Sequence, residues 1–337
     1  MCTRRVATTH RFALGALLLG ALFSSTLGAH AAPLSAEARR QVLQQGSAQL
    51  DARKSSLRER AAVSPAQAAT VEVTRMKGKG AQAMKLSYAD ARGHKTRLLL
   101  RVPGRGTTWG ARANDTVALL AAQLGEPQWV PAGFVAEPGT FAGIAGLVHD
   151  VGRKEASDVG KIMVTEFVKG FRDGEDAPVE WLSKTPETTR LKAAVLDVLT
   201  LARDRKLANV MVDDKGEVRL IDHDVTFGMK EEKGPHFAST FWKGQALGYR
   251  SKQARFEDLP DDVRTLVQAI AEEDPSALQQ TYALGKPERV ELVQRLAKEI
   301  VQNGLDAASA RIVSEAAQRQ FVRADDTPNA ARLLNGN

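Results

Sequence analysis

The sequence predicts an α+β chain of two lobes, a small antiparallel sheet followed by a mostly helical half, and three observations predict it. Short apolar runs with turn punctuation fill residues 70–102, and apolar stripes at the helical period dominate beyond Gly170. The length of 337 residues, 43% of them apolar, suits two domains or one two-lobed domain.

Residues 1–31 read as a Sec-type export signal. Arg4, Arg5 and Arg11 give a positive start, residues 12–23 are an apolar run, and Ala29-His30-Ala31 places small residues at the two positions that cleavage reads. The protein is then expected to be exported, periplasmic or secreted, with an uncleaved anchor as the alternative. Cleavage would remove three arginines and no acid from a chain of formal charge +7. No other stretch approaches the ~20 apolar residues of a membrane helix, so no transmembrane span is expected after signal removal. Cys2 is the one cysteine, which excludes a disulfide within the chain and a thiolate metal site. Aromatic residues at 5% leave a base-stacking reader short of stacking groups, and no sequence-specific nucleic-acid partner is expected.

Residues 32–68 form a polar, alanine-rich helical extension, with Leu43, Leu50 and Leu57 seven apart and Ser64-Pro65 at its end. The first lobe, residues 69–168, opens with three strands near residues 71–76, 83–88 and 96–102, a meander punctuated by Lys77-Gly78-Lys79-Gly80 and Ala91-Arg92-Gly93. Asn114 or Asp115 can cap the helix that follows, which carries Val117, Leu120 and Leu124 to Gly125. A strand pair near residues 130–135 and 161–167 completes the sheet. The second lobe, residues 169–325, is mostly helical. Leu191, Ala194, Val195, Val198 and Leu199 share a helix face, and a hairpin of residues 210–212 and 218–221 turns at Asp213-Asp214-Lys215-Gly216. Helices carrying Val263, Leu266 and Ile270, then Val293, Leu296 and Ile300, follow residue 260, and residues 326–337 form a polar tail.

The stretch that carries chemistry runs LDVLTLARDRKLANVMVDDKGEVRLIDHDVTFG from Leu196. A helix leads to Asp204, Asn209 stands five positions on, and the hairpin's second strand ends in Ile221-Asp222. Phosphoryl transfer needs a carboxylate to orient and deprotonate a hydroxyl, plus oxygen ligands that hold a hard cation against the phosphates. The Asp-x-x-x-x-Asn spacing is that of the kinase catalytic loop, set here between helix and hairpin.

These residues resemble the atypical, lipid-kinase-like members of the protein-kinase-like fold: type II phosphatidylinositol 4-kinases, HipA toxins and secretory-pathway casein kinases of the Golgi. Asp197, Leu199, Asp204, Arg205, Asn209, Ile221, Asp222 and Phe227 carry the match. The resemblance implies a fold with a sheet-rich and a helical lobe. It implies Asp204 as catalytic base, Asn209 and Asp222 as metal ligands, and Asp197 as a helix acid bracing the loop. It also implies ATP or another nucleoside triphosphate, Mg²⁺ or Mn²⁺, and a hydroxyl-bearing acceptor on a protein, lipid headgroup or small molecule. Gly78, Lys79 and Gly80 look like the loop that covers the phosphates, with a plain hairpin turn as the alternative. Arg101 stands where the family places its phosphate-binding Lys. Asp115 would be the helix acid paired with it, or else an N-cap. Glu166 and Phe167 look like the linker between lobes, whose backbone would meet the adenine.

Lys206, Ala202 and Asp224 depart from the family's His, Asn and Gly, and Arg101 from its Lys. These departures keep two other readings open: an inactive pseudokinase serving as a binding module, and nucleotidyl transfer on the same fold. Arg203, Arg205 and Lys206 form a basic cluster, for phosphate or acidic substrate or simply solvated. His223 and His236 are expected to be exposed. Trp242 and Tyr249 are expected to pack, with a substrate-facing place as the alternative.

Overall fold

The computed structural model describes residues 33–62, 70–75, 82–89, 95–102, 107–136, 162–174, 176–177, 184–202, 205, 207–223, 226–227 and 254–321. The expected signal peptide and the tail of residues 326–337 lie outside them. Two helices come first, α1 (Ala36–Gln44) and α2 (Ser47–Ala61). The Ser35 hydroxyl accepts the Ala38 N–H at 3.1 Å and caps α1. Between the helices the chain turns at Gly46, whose φ is 82°, and a Cβ there would lie 2.5 Å from the Ala122 Cβ. Both the left-handed backbone and the close approach call for glycine. Leu43, Leu50 and Leu57 are all buried, so these helices are part of the folded body.

β1 (Glu72–Arg75), β2 (Gln82–Ala89) and β3 (Lys95–Val102) form the antiparallel meander, with Val73 opposite Leu86 and Leu86 opposite Leu98. β4 (Gly133–Ala136) pairs with β5 (Ile162–Glu166), and β5 joins β3, giving the order β1-β2-β3-β5-β4. Strand alternation sends Met84, Leu86 and Tyr88 of β2 and Leu98 and Leu100 of β3 to one core. Leu57 and Ala61 of α2 close that core. Full burial of Leu57 contributes about 2 kcal/mol.

The helix after β3 differs from expectation. It is α3 (Thr107–Gln123), which begins well before Asn114 and Asp115, so neither is its cap. Asn114 is buried and donates its amide N–H to the Pro131 carbonyl at 3.1 Å, a tertiary role in place of a capping one. Val117 and Leu120 of α3, and Leu124 just beyond its end, pack in a second, larger core with Leu196 and Leu199 of α4 (Glu187–Leu199) and Val263, Leu266 and Ile270 of α5 (Asp261–Glu272). Leu50 of α2 belongs to this core as well, so α2 spans both.

A second sheet, β6-β7-β8, consists of β6 (Arg172–Asp173), β7 (Val210–Val212) and β8 (Val218–Leu220). β6 is a strand that the mostly helical expectation beyond Gly170 did not include; two exposed charged residues carry no strand pattern. The hairpin turns where the sequence places it, with Asp213 Oδ1 accepting the N–H groups of Lys215 and Glu217 at 2.9 and 2.8 Å. The Leu220 N–H donates to the Trp129 carbonyl at 2.7 Å, which ties the hairpin to the connection between α3 and β4. α6 (Pro275–Tyr282) and α7 (Pro287–Phe321) complete the helical half, α7 being interrupted at Gly304 (φ 83°, ψ 169°). None of the described helices is long and apolar enough to cross a membrane.

Candidate functional site

The site grows from the end of α4. The Ala202 N–H reaches the Asp197 carbonyl and the Leu201 N–H the Val198 carbonyl, the two bonds of a Schellman stop. Leu201 holds the left-handed position with φ 47°, where glycine is usual. Asp222 (φ 61°) and Phe227 (φ 53°) share that unfavoured conformation. Three left-handed non-glycine residues between 201 and 227 mark a segment held by its surroundings, as happens at sites where geometry matters more than local ease. The Phe227 N–H donates to the Thr200 carbonyl at 2.7 Å, closing the segment back onto α4.

Arg205 organises what lies between. Its side chain is buried, and Asp197, fully buried on α4, accepts its Nε–H at 3.1 Å. Nη1 donates to the carbonyls of Asn209 (3.0 Å) and Ile221 (2.9 Å), and Nη2 lies 3.0 Å from His223 Nδ1. One planar guanidinium thus joins the helix, the turn of Leu207–Asn209 and the end of β8. The Ile221 N–H also donates to the Asn209 carbonyl, at 3.1 Å, so Asn209 and the residue before Asp222 are fixed side by side.

Two expectations change here. Arg205 is not part of a solvated or substrate-facing cluster, because Asp197 neutralises it inside the protein. His223 is not exposed. Burial, and after it the charge of Arg205, holds its imidazole well below the usual histidine range. The neutral ring accepts from Arg205 at Nδ1, which leaves Nε2–H to donate to the Leu220 carbonyl at 3.1 Å.

Arg101 reaches this segment from β3. Its Nη1 lies 3.0 Å from Asp222 Oδ1, a pair between residues 121 apart in sequence, with side chains 28% and 36% exposed. Asn209 is buried at the turn. Asp115 does not meet Arg101 among the described residues. It lies in the middle of α3 and pairs with Lys54 of α2 at 2.7 Å. Burial raises its carboxyl above the usual carboxylate range, and Lys54 and Arg58 pull it back.

Glu166 ends β5. Its Oε2 accepts from Arg53 and from the Ala132 N–H (3.0 Å), its Oε1 from Arg60 (3.4 Å), and its own N–H donates to the Ala132 carbonyl at 3.0 Å. The side chain is therefore a brace between β5, the approach to β4 and α2. Phe167, half-buried, starts the irregular residues 167–169 that lead from the sheet to β6. Gly78, Lys79, Gly80 and Asp204 lie outside the described residues, as do Arg203, Lys206, Asp224, His236, Trp242 and Tyr249.

Sequence reasoning missed the basic face of α2, where Arg53, Lys54, Arg58 and Arg60 hold Glu166, Asp115 and the Phe134 ring. The run Arg53-Lys54 and Arg58-x-Arg60 reads as solvated charge in a polar helix. Its acidic partners stand 61 to 113 residues away, beyond any local signal.

For a divalent cation, Asn209 and Asp222 offer oxygen atoms, the donor type that Mg²⁺ and Mn²⁺ prefer. Among the described residues no three His, Cys, Asp or Glu side chains converge as a cation cage. Two oxygen donors suit a cation that brings water and phosphate oxygens with it. No family model matches the chain, and the comparison with curated proteins gives no match.

Proposed function

We propose that this chain is an exported, kinase-like phosphotransferase that moves a phosphoryl group from ATP, or another nucleoside triphosphate, to a hydroxyl. The observation that carries the reading is the meeting of Arg101 and Asp222, 3.0 Å apart, beside the Arg205-anchored turn at Asn209. A cationic side chain from a sheet and an acid next to a buried amide are the groups that polyphosphate and its counter-cation require. The fold supports the reading in outline, since an antiparallel sheet and a helical core flank that meeting point.

In this reading Asp204 is the base that orients and deprotonates the acceptor hydroxyl. Its neighbour Arg205, bonded to Asp197, Asn209 and Ile221, fixes the loop from within. Asn209 and Asp222 hold the Mg²⁺ or Mn²⁺, which supplies charge neutralisation at the transferring phosphate. Arg101 binds phosphate oxygens, Gly78, Lys79 and Gly80 cover them, and the backbone at Phe167 faces the base. Glu166 and Asp115 act through α2, as braces of the sheet and of α3. The acceptor is a protein, a lipid headgroup or a small molecule bearing a hydroxyl.

One observation favours a second reading. Arg101 neutralises Asp222 within the chain, as in a pseudokinase that serves as a binding module. Thermal-shift measurements with ATP or GTP, each with Mg²⁺, Mn²⁺ or chelator, separate the two, because a ligand of the native state raises its stability. A metal-dependent shift followed by transfer of labelled phosphate supports the phosphotransferase. A chain indifferent to millimolar nucleotide refutes it.

A further inference from the structure

We propose that Arg101 is a resident cation that blocks Asp222, so that a divalent cation gains Asp222 only when a polyphosphate draws Arg101 away. The inference rests on the phosphotransferase reading and adds a binding order to it. Three observations carry it.

Arg101 Nη1 occupies Oδ1 of Asp222 at 3.0 Å, on an atom a cation would need. Both side chains are partly exposed, so solvent ligands reach them and the pair exchanges without unfolding anything. Their backbones are fixed by separate means: β3 by its ladders to β2 and β5 and by buried Leu98 and Leu100, and the end of β8 by Asn209 and Arg205. Exchange therefore requires only that the Arg101 side chain swing.

A polyphosphate changes both sides of that balance. Its oxygens take the Arg101 guanidinium, for which bidentate phosphate is a good partner, and the same oxygens complete the shell of the cation that then meets Asp222. The acid on α3 offers Arg101 no alternative, because Asp115 is held by Lys54. An anion and a cation thus enter together, each replacing one member of an internal pair.

Mn²⁺ binding, read by the electron paramagnetic resonance signal of free Mn²⁺ over the full chain, tests this. The wild type should bind Mn²⁺ weakly alone and tightly with ATP, counted beyond the Mn²⁺ that the same ATP holds without protein. Arg101→Gln should bind Mn²⁺ alone about tenfold more tightly than the wild type, the scale of removing one adjacent positive charge from a partly exposed carboxylate. Adding Asp222→Asn to that variant should erase the gain. Circular dichroism verifies the fold, and Arg101→Met, which keeps the apolar stem, takes the place of Arg101→Gln if the latter does not fold. Unchanged Mn²⁺ affinity in the folded Arg101 variant overturns the proposal, and so does a gain that survives Asp222→Asn. A gain dependent on Asp222 combined with no effect of ATP on the wild type has a different meaning. It upholds Arg101 as the guard of Asp222 and removes the phosphotransferase reading instead.

Discussion

Replacing Arg205 tests how the site is built. In Arg205→Ala, Asp197 remains fully buried and loses the guanidinium that pairs with it, while the carbonyls of Asn209 and Ile221 and the Nδ1 of His223 each lose a donor. Breaking a buried ion pair from one side costs about 3–5 kcal/mol, because the remaining charge is uncompensated. The lost donors add about 1 kcal/mol or more each where water does not replace them. A loss of about 4 kcal/mol is thus a conservative expectation, against a total stability on the order of 5–15 kcal/mol. Arg205→Lys keeps the charge, but one ammonium cannot span the acceptors that the fork reaches, and about half that loss is expected. Urea unfolding followed by circular dichroism measures the change. Pairing Arg205→Ala with Asp197→Asn removes the stranded charge, so the double variant should be less destabilised than the sum of the singles. An Arg205→Ala protein within about 1 kcal/mol of the wild type, or additive single effects, would refute the account of Arg205 as the internal anchor.

Gly46→Ala should destabilise by about 2 kcal/mol, because alanine must adopt φ 82° and its Cβ must displace Ala122; equal melting temperatures of variant and wild type would contradict this. His223 is held neutral in the folded state and takes a proton more readily when unfolded, so stability is retained above about pH 6.5 and falls as the pH drops below it. His223→Gln should flatten that part of the pH–stability curve, and an unaltered slope would show that other groups set it. Asp222→Ala should abolish the metal-dependent thermal shift with ATP, whereas Asp204→Ala should retain the shift and lose phosphate transfer. Loss of both in Asp204→Ala would make that residue structural.

The elements most legible in the sequence are those whose patterns are local. Strand alternation in Met84-x-Leu86-x-Tyr88, turn chemistry at Asp213 to Gly216 and the helical stripes of α4 and α5 each need only a few consecutive residues. The start of α3 was illegible because Asn114 and Asp115, good caps by composition, are used for the Pro131 carbonyl and for Lys54. The burial of Arg205 was illegible for a similar reason. In a run of Arg203, Asp204, Arg205 and Lys206 nothing local separates the one charge that turns inward, and the acid that permits it lies a helical turn and a loop away. The candidate site was readable as a spacing of residue types. The pairing of Arg101 with Asp222 was not, since it depends on how β3 meets the end of β8.

The placement of α2 has a consequence for how the molecule comes apart. Its Leu50 lies in one core and its Leu57 and Ala61 in the other, while Arg53 and Lys54 grip β5 and α3. Melting of the sheet would strip Leu57 of its cover, and melting of the helices would strip Leu50. Neither half can be lost while the other keeps its full stability, so heat or denaturant meets one cooperative unit sewn together by a fifteen-residue splint. A protease that removed α2 would weaken both halves at one stroke, although it cut nothing in the candidate site.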